Sequence, residues 1–243
     1  DFPNEDGVLN HNPDGTGQTA YLGSGSYWPN SFFYARPLPG HATRVVAVIG
    51  GHHDNPRMGE LVEHYAGLGL VSRGDPFATL ARSIVGQQIS VKAADSVWGR
   101  FVAALPEVSP QAVLAAGPEG LAGCGLSGRK REYVCDLAAH FVAGRLDPAA
   151  WEVMDDEAVI VALTGVRGIG RWTAEMFMIF NQLRPDVFPL DDLGLQRAVF
   201  ERYFEGQKQP RKVLAEFGER WRPWRSVATW YLWRSLDPVP VEY

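Results

Sequence analysis

Apolar residues recur at steps of three and four almost without interruption from residue 56 onward. That is the period of a helix with one buried face. The segment SVKAADSVWGRFVAAL shows it most plainly. Val91, Ala94, Val97, Trp98, Phe101, Val102 and Leu105 fall on one stripe, and Ser90 stands where an N-cap is wanted. Its neighbours carry the same punctuation. PRMGELVEHYAGLG opens with Pro56 at a first helical position and ends in glycine, and DPFATLARSIVGQQ opens with an Asp cap followed by proline. SPQAVLAAG and PEGLAGCG predict two short capped helices, and SGRKREYVCDLAAHFVAG a longer one. DDEAVIVALTG, GRWTAEMFMIFNQL, DDLGLQRAVFERYF, QPRKVLAEFGERW and RPWRSVATWYLWRSL complete the series. No repeat of alternating strands follows residue 56, so the predicted class is all-α, built of many short helices.

The chain before residue 56 is different. Residues 1–43 are rich in Gly, Asn, Asp, Pro and Ser with scattered aromatics, and are expected to be irregular, partly disordered or draped on the body. VVAVIG at 45–50 predicts either a short strand or an apolar anchor. His52, His53 and Asp54 invite a metal site, but adjacent histidines usually point apart, which weighs against one.

Composition narrows the classes. Hydrophobic residues make up 46% and charged residues 21%, ordinary for a globular protein. The net charge of −5 gives no global basic surface. Residues 1–70 hold 7 acidic and 3 basic residues while 71–243 hold 21 and 20, so a polyanion site must come from local features. Arg129–Lys130–Arg131 and the series Arg220, Arg222, Arg225 are the basic clusters, each first read as a solvated helix face. Two cysteines exclude a four-cysteine iron–sulfur or zinc site and make a reducing, cytoplasmic setting the default. No apolar run reaches the ~18 residues that span a membrane. The start, DFPNEDG, lacks the regions of a signal peptide and lacks Met, which reads as a trimmed chain.

Chemistry concentrates after residue 160. LTGVRGIGRWTAE joins two helices through a turn holding Gly168 and Gly170. Two glycines there bring backbone N–H groups to the N-terminus of the second helix, where the dipole also favours an anion. That geometry grips a phosphate without basic side chains; a plain helix–helix corner fits the stretch equally well. Downstream, RPDVFPLDDLGLQRAVF places Asp191 and Asp192 at a helix start. One carboxylate suffices as a cap, so the second is available to stabilise positive charge on a sugar.

These residues carry a resemblance. LTGVRGIGRWTAE followed by VFPLDDLGLQR resembles the helix–hairpin–helix, Gly/Pro-rich loop and catalytic Asp of the HhH-GPD DNA glycosylase superfamily. DPFATLARSIVGQQIS and ERWRPWRSVATWYLWR resemble its alkylation-repair branch, the AlkA-type 3-methyladenine DNA glycosylases II. Four separated motifs in order, over roughly residues 56–236, make the resemblance specific. It implies two helical subdomains flanking a DNA-binding cleft, with an irregular N-terminal segment (1–55) and no full N-terminal β-domain. The glycosylase domain would be 56–243, with one helical subdomain at about 76–180 and the remainder from 56–75 and 181–243.

The resemblance also assigns residues. It implies Asp192 as the catalytic carboxylate, with Asp191 as a helix-start or structural residue. Trp172, Trp233 and Met176 would line the base pocket, with Met176 where relatives carry an aromatic. Relatives that cut the backbone carry a lysine just after the hairpin, where this chain has Trp172. The expectation is therefore monofunctional hydrolysis of the N-glycosidic bond after base flipping, an abasic product and no lyase activity. Gly168, Gly170, Arg171, Thr173, Gln88 and Arg225 would contact DNA, with Gln88 as the wedge and Arg225 supporting the Asp loop or a phosphate; a purely structural ion pair fits Arg225 equally well. Carbonyls of Thr164, Val166 and Ile169 would hold a monovalent cation (Na or K); no cofactor is otherwise required and no iron–sulfur cluster is expected. The partner would be double-stranded DNA with alkylated bases, bound by a monomer in the cytoplasm, at the nucleoid if bacterial. A non-catalytic helix–hairpin–helix module, or a glycosylase for deaminated or mismatched bases, is the alternative.

Overall fold

The computed structural model describes residues 10–11, 18–21, 31–34, 48–50, 55–65 and 69–236. His52, His53 and Asp54 lie outside the described residues. The body is all helical, as the periodicity predicts. Its helices are α1 (Pro56–His64), α2 (Pro76–Gly86), α3 (Val91–Ala103), α4 (Pro110–Gly120), α5 (Gly128–Val142), α6 (Pro148–Trp151), α7 (Asp156–Thr164), α8 (Arg171–Phe180), α9 (Leu193–Tyr203), α10 (Arg211–Gly218) and α11 (Arg225–Leu236). Ahead of them, β1 (Asn10–His11), β2 (Gln18–Tyr21), β3 (Ser31–Tyr34) and β4 (Val48–Gly50) pair antiparallel in chain order. The strand expected within 45–50 is β4. The other three are two to four residues long, too short to show an alternating pattern.

The chain falls into two compact units. Among the described residues, one is built from Arg73–Asn181 and the other from those up to Ser72 together with Gln182–Leu236. Local chemistry sets most helix starts. Side chains of Asp75, Ser90, Ser109, Ser127, Asp155 and Asp192 cap α2, α3, α4, α5, α7 and α9. Each satisfies an amide that the first turn leaves without a helical partner. The stripe expected on α3 is narrower than its sequence suggests. Val97 and Phe101 are buried, while Val91 and Val102 face water. The two short helices expected at 109–125 are α4, broken at Gly117, and a 3-10 turn at Ala122–Cys124.

Each unit has its own apolar interior. In the 73–181 unit Phe77, Leu80, Ile84, Phe101, Leu137, Leu163, Phe177 and Met178 are buried, with Phe77, Phe141, Trp151 and Phe177 meeting edge to face in series. In the other unit Trp221 is ringed by Phe188, Tyr203 and Phe217. Gly218 lets Phe188 approach, since a Cβ there would lie 2.4 Å from its ring. Cys124 and Cys135 are free thiols, and burial pushes both upward in pKa. No helix among the described residues is long and apolar enough to cross a membrane.

Candidate active site and nucleic-acid interface

The hairpin between α7 and α8 is held from outside its own sequence. Amides of Val166 and Ile169 donate to the carbonyls of Leu163 and Val166, closing two tight turns. Gly168 has φ +88, and a Cβ on it would sit 2.3 Å from the Tyr133 ring. Conformation and space therefore both demand glycine here. The Arg167 amide donates to Asp136 Oδ2 at 2.9 Å, and Gln87 Nε2 donates to the Gly168 carbonyl at 2.8 Å. Val166 and Ile169 are buried, while Thr164, Gly165, Arg167 and Gly170 face water.

Gly170 opens α8 and supplies no side-chain cap. Nothing lies within 4 Å of where its Cβ would be. Gly170 thus brings no side-chain acceptor to the first turn, which is the positive end of the helix dipole. Arg171 does not supply charge at that spot. Its two terminal nitrogens chelate Glu157 at 2.8 and 2.7 Å, and its Nε donates to the buried Glu175 at 3.1 Å. The bond to Arg171 lowers the Glu157 carboxyl pKa and the arrangement raises that of Arg171. Trp172 is 40% exposed, whereas Thr173 and Met176 are buried.

The other unit carries the carboxylate pair, and the two members do different things. Asp192 is the N-cap of α9, its Oδ1 accepting from the Leu195 amide at 2.6 Å. The same oxygen accepts from the indole Nε1 of Trp233 at 2.8 Å. Gly194 makes room for this meeting: a Cβ there would lie 3.2 Å from Asp192 Oδ1 and 3.3 Å from Trp233 Cδ1. Asp191 instead faces water and pairs with Arg211 at 3.0 and 3.1 Å. The cap and the candidate catalytic group are therefore one residue rather than two.

The loop leading to Asp192 is stitched to the start of α11. Arg225 chelates Asp186 at 2.7 and 3.0 Å, reaches the Asp186 carbonyl, and holds Glu219 at 3.0 Å. Ser226 Oγ accepts from the Val187 amide, and the Ser226 amide donates to the Pro185 carbonyl. Of the readings open for Arg225, the structure shows ion pairs, and they tie down the loop that leads to Asp192. The Asp192 amide returns to Pro189, and Gln196 reaches Leu190. One helix thus fixes the loop at its start and delivers Trp233 to the carboxylate near its end.

The basic cluster 129–131 divides on inspection. Lys130 Nζ donates to the carbonyls of Val85 and Gln87, both at 2.7 Å, and Arg131 reaches the Pro118 carbonyl. Arg129 stays on the surface. Gln88 has φ +58 and is exposed, at the tip of the turn between α2 and α3. Gln87, Tyr133, Asp136, Asp186 and Arg211 are not marked as site residues by the sequence. Their partners lie far along the chain, and only the YxxD spacing of Tyr133 and Asp136 on one helical face hints at a shared target.

A glycine hairpin ahead of an uncapped helix, followed by a half-buried Asp fixed on an indole, defines a helical DNA-repair fold. Residues 81–223 match the family model described as HhH-GPD superfamily base excision DNA repair protein, and the chain belongs to that superfamily. It is 32% identical over 201 residues to DNA-3-methyladenine glycosylase 1 of Schizosaccharomyces pombe, covering 79% of this chain and 87% of that one. Among solved structures it resembles the DNA-3-methyladenine glycosidase of Bacillus halodurans, with TM-score 0.71 and 36% identity over 76% of this chain and 87% of that one. The S. pombe 3-methyladenine DNA glycosylase in complex with abasic DNA aligns with TM-score 0.64 and 28% identity, covering 76% and 93%.

Proposed function

We propose that this chain is a monofunctional DNA glycosylase that flips alkylated purines, of the 3-methyladenine and 7-methylguanine kind, out of duplex DNA and releases them. The observation that carries this is the Asp192–Trp233 pair. An N-alkylated purine is already cationic and leaves readily, so the enzyme has to support an oxocarbenium-like sugar rather than protonate a base. Asp192 supplies that negative charge, and its bond to the Trp233 indole fixes where the charge sits. An electron-rich indole face also stacks well on an electron-poor base. Trp233, Trp172 and Met176 are each proposed to contact the flipped base.

The hairpin holds the backbone. A phosphate accepts from the amides of Gly168, Gly170, Arg171 and Thr173, so Arg171 and Thr173 act through their main chain while their side chains stay committed or buried. Carbonyls of Thr164, Val166 and Ile169 are the proposed donors to a sodium or potassium ion, a hard-oxygen set suited to such a cation. Gln88 is the proposed wedge, and Arg225 serves DNA indirectly by holding the Asp loop. Trp172 offers no amine for a Schiff base, so the reaction ends at the abasic site. The protein is proposed to act as a monomer on double-stranded DNA.

Duplexes carrying 3-methyladenine, 7-methylguanine or hypoxanthine test this directly. Release of the methylated bases, with the strand unbroken until heat or alkali, is expected. Release of hypoxanthine alone would move the activity to deaminated bases. Duplex binding without release of any base would leave a DNA-binding module. Nicking without heat or alkali would refute the monofunctional assignment.

A further inference from the structure

We propose that Gln87 and Lys130 are positioning residues that hold the Gly86–Ile89 turn against the hairpin as one preset body, so that Gln88 and Ile89 enter the duplex already ordered. The proposal rests on the glycosylase function above. It begins with a backbone conflict. Gln87 has φ −56 and ψ 133, and Gln88 has φ +58. That is the course of a type II turn, whose second central residue is normally Gly or Asn. A glutamine persists in this conformation only where its surroundings over-determine it, and such residues cluster at functional sites.

The surroundings do so through one node. Gln87 uses its carbonyl to accept from Lys130 of α5 at 2.7 Å, and its side-chain amide to donate to Gly168 of the hairpin at 2.8 Å. Lys130 spans the Val85 and Gln87 carbonyls, closing the end of α2, and Ser90 caps α3 on the far side of the turn. Burial lowers the pKa of Lys130, as expected of an ammonium turned onto carbonyls instead of water. Between these anchors only two side chains are left to face outward: Gln88, and Ile89, an apolar residue 40% exposed at a turn tip. Displacing a base from the stack is costly. A tip ordered beforehand spares the ordering entropy at that moment.

The test uses Lys130→Met and Gln87→Glu in the full chain. Single-turnover release of 7-methylguanine is measured from two duplexes. In one the base faces cytosine; in the other it faces a one-nucleotide gap and is already unpaired. Each variant is expected to lose about tenfold on the paired duplex and less than about threefold on the gapped one. Lys130→Arg, which keeps the donors, should restore the paired rate. Equal loss on both duplexes, or no loss on the paired one, overturns the proposal. Melting curves establish folding, and if Lys130→Met does not fold, the isosteric Gln87→Glu decides. Wild-type protein that releases 7-methylguanine from neither duplex would sink the glycosylase assignment instead, leaving the two failures distinct.

Discussion

Helices α8 and α9 follow one another in sequence and begin in opposite ways. α8 starts at Gly170, which has no side chain to offer its first-turn amides. α9 starts at Asp192, whose carboxylate accepts one of those amides and the Trp233 indole with the same oxygen. Both starts exploit the positive end of a helix dipole. At α8 the cap residue brings no anion; at α9 the anion is part of the chain, and capping is what fixes its orientation. A helix start can therefore be a receptor for charge or a mount for it, and one residue decides which.

Asp192→Asn breaks the mount while keeping its shape. Amide oxygen can still cap α9, but the charge is gone, and base release should fall by at least about a hundredfold with duplex affinity retained. Single-turnover excision beside a binding titration reads both. Gly170→Asp turns the receptor into a second mount. The backbone at Gly170, φ −92 and ψ 171, accepts an N-cap, and no atom obstructs a Cβ. The fold should gain a few tenths of a kcal/mol from the cap. Duplex affinity should drop about tenfold because the new carboxylate occupies the anion's place. A variant that binds DNA as well as wild type would remove the hairpin from the interface.

Trp233→Phe is a finer cut. It keeps an aromatic face but deletes the N–H that holds Asp192, and release should slow about five- to tenfold with little change in stability. An unchanged rate would mean that the capping amide alone orients the carboxylate. The smallest effect is expected at the neighbouring acid. Asp191→Asn weakens an exposed pair with Arg211, worth about 0.5 kcal/mol or less by thermal melting, and base release should be unaffected.

What the sequence displays and what it conceals follow from the range of each interaction. Caps are local, so Asp75, Ser90 and Asp155 announce the helices they start. The order of the helices is equally open to inspection because three- and four-residue spacing is local too. The helix α6 is not: four residues hold little more than one turn, and only the Asp147–Pro148 pair marks it. Long-range partners are invisible in the same way. Nothing near Lys130 says that it serves the end of α2, 43 and 45 residues away. Nothing near Arg171 says that Glu157 will consume its fork. Basic residues in a run thus suggest a polyanion surface that the folded chain has mostly spent on itself. The carboxylate pair was half legible. Its position pointed to chemistry, but the division of labour between Asp191 and Asp192 required Arg211 and Trp233 to be placed.

The ion pairs around the hairpin have an ionic consequence. Arg167 pairs with Asp136 and Glu132, and Arg171 with Glu157 and Glu175. A phosphate held there meets dipoles rather than lysine or arginine ends. Counterion release, which makes most DNA binding fade as salt rises, scales with the phosphates that such cations neutralise. The hairpin's contribution to affinity should therefore fall less steeply with ionic strength than a lysine or arginine contact would, and the slope of binding against salt concentration should report mainly the cationic contacts made elsewhere on the protein.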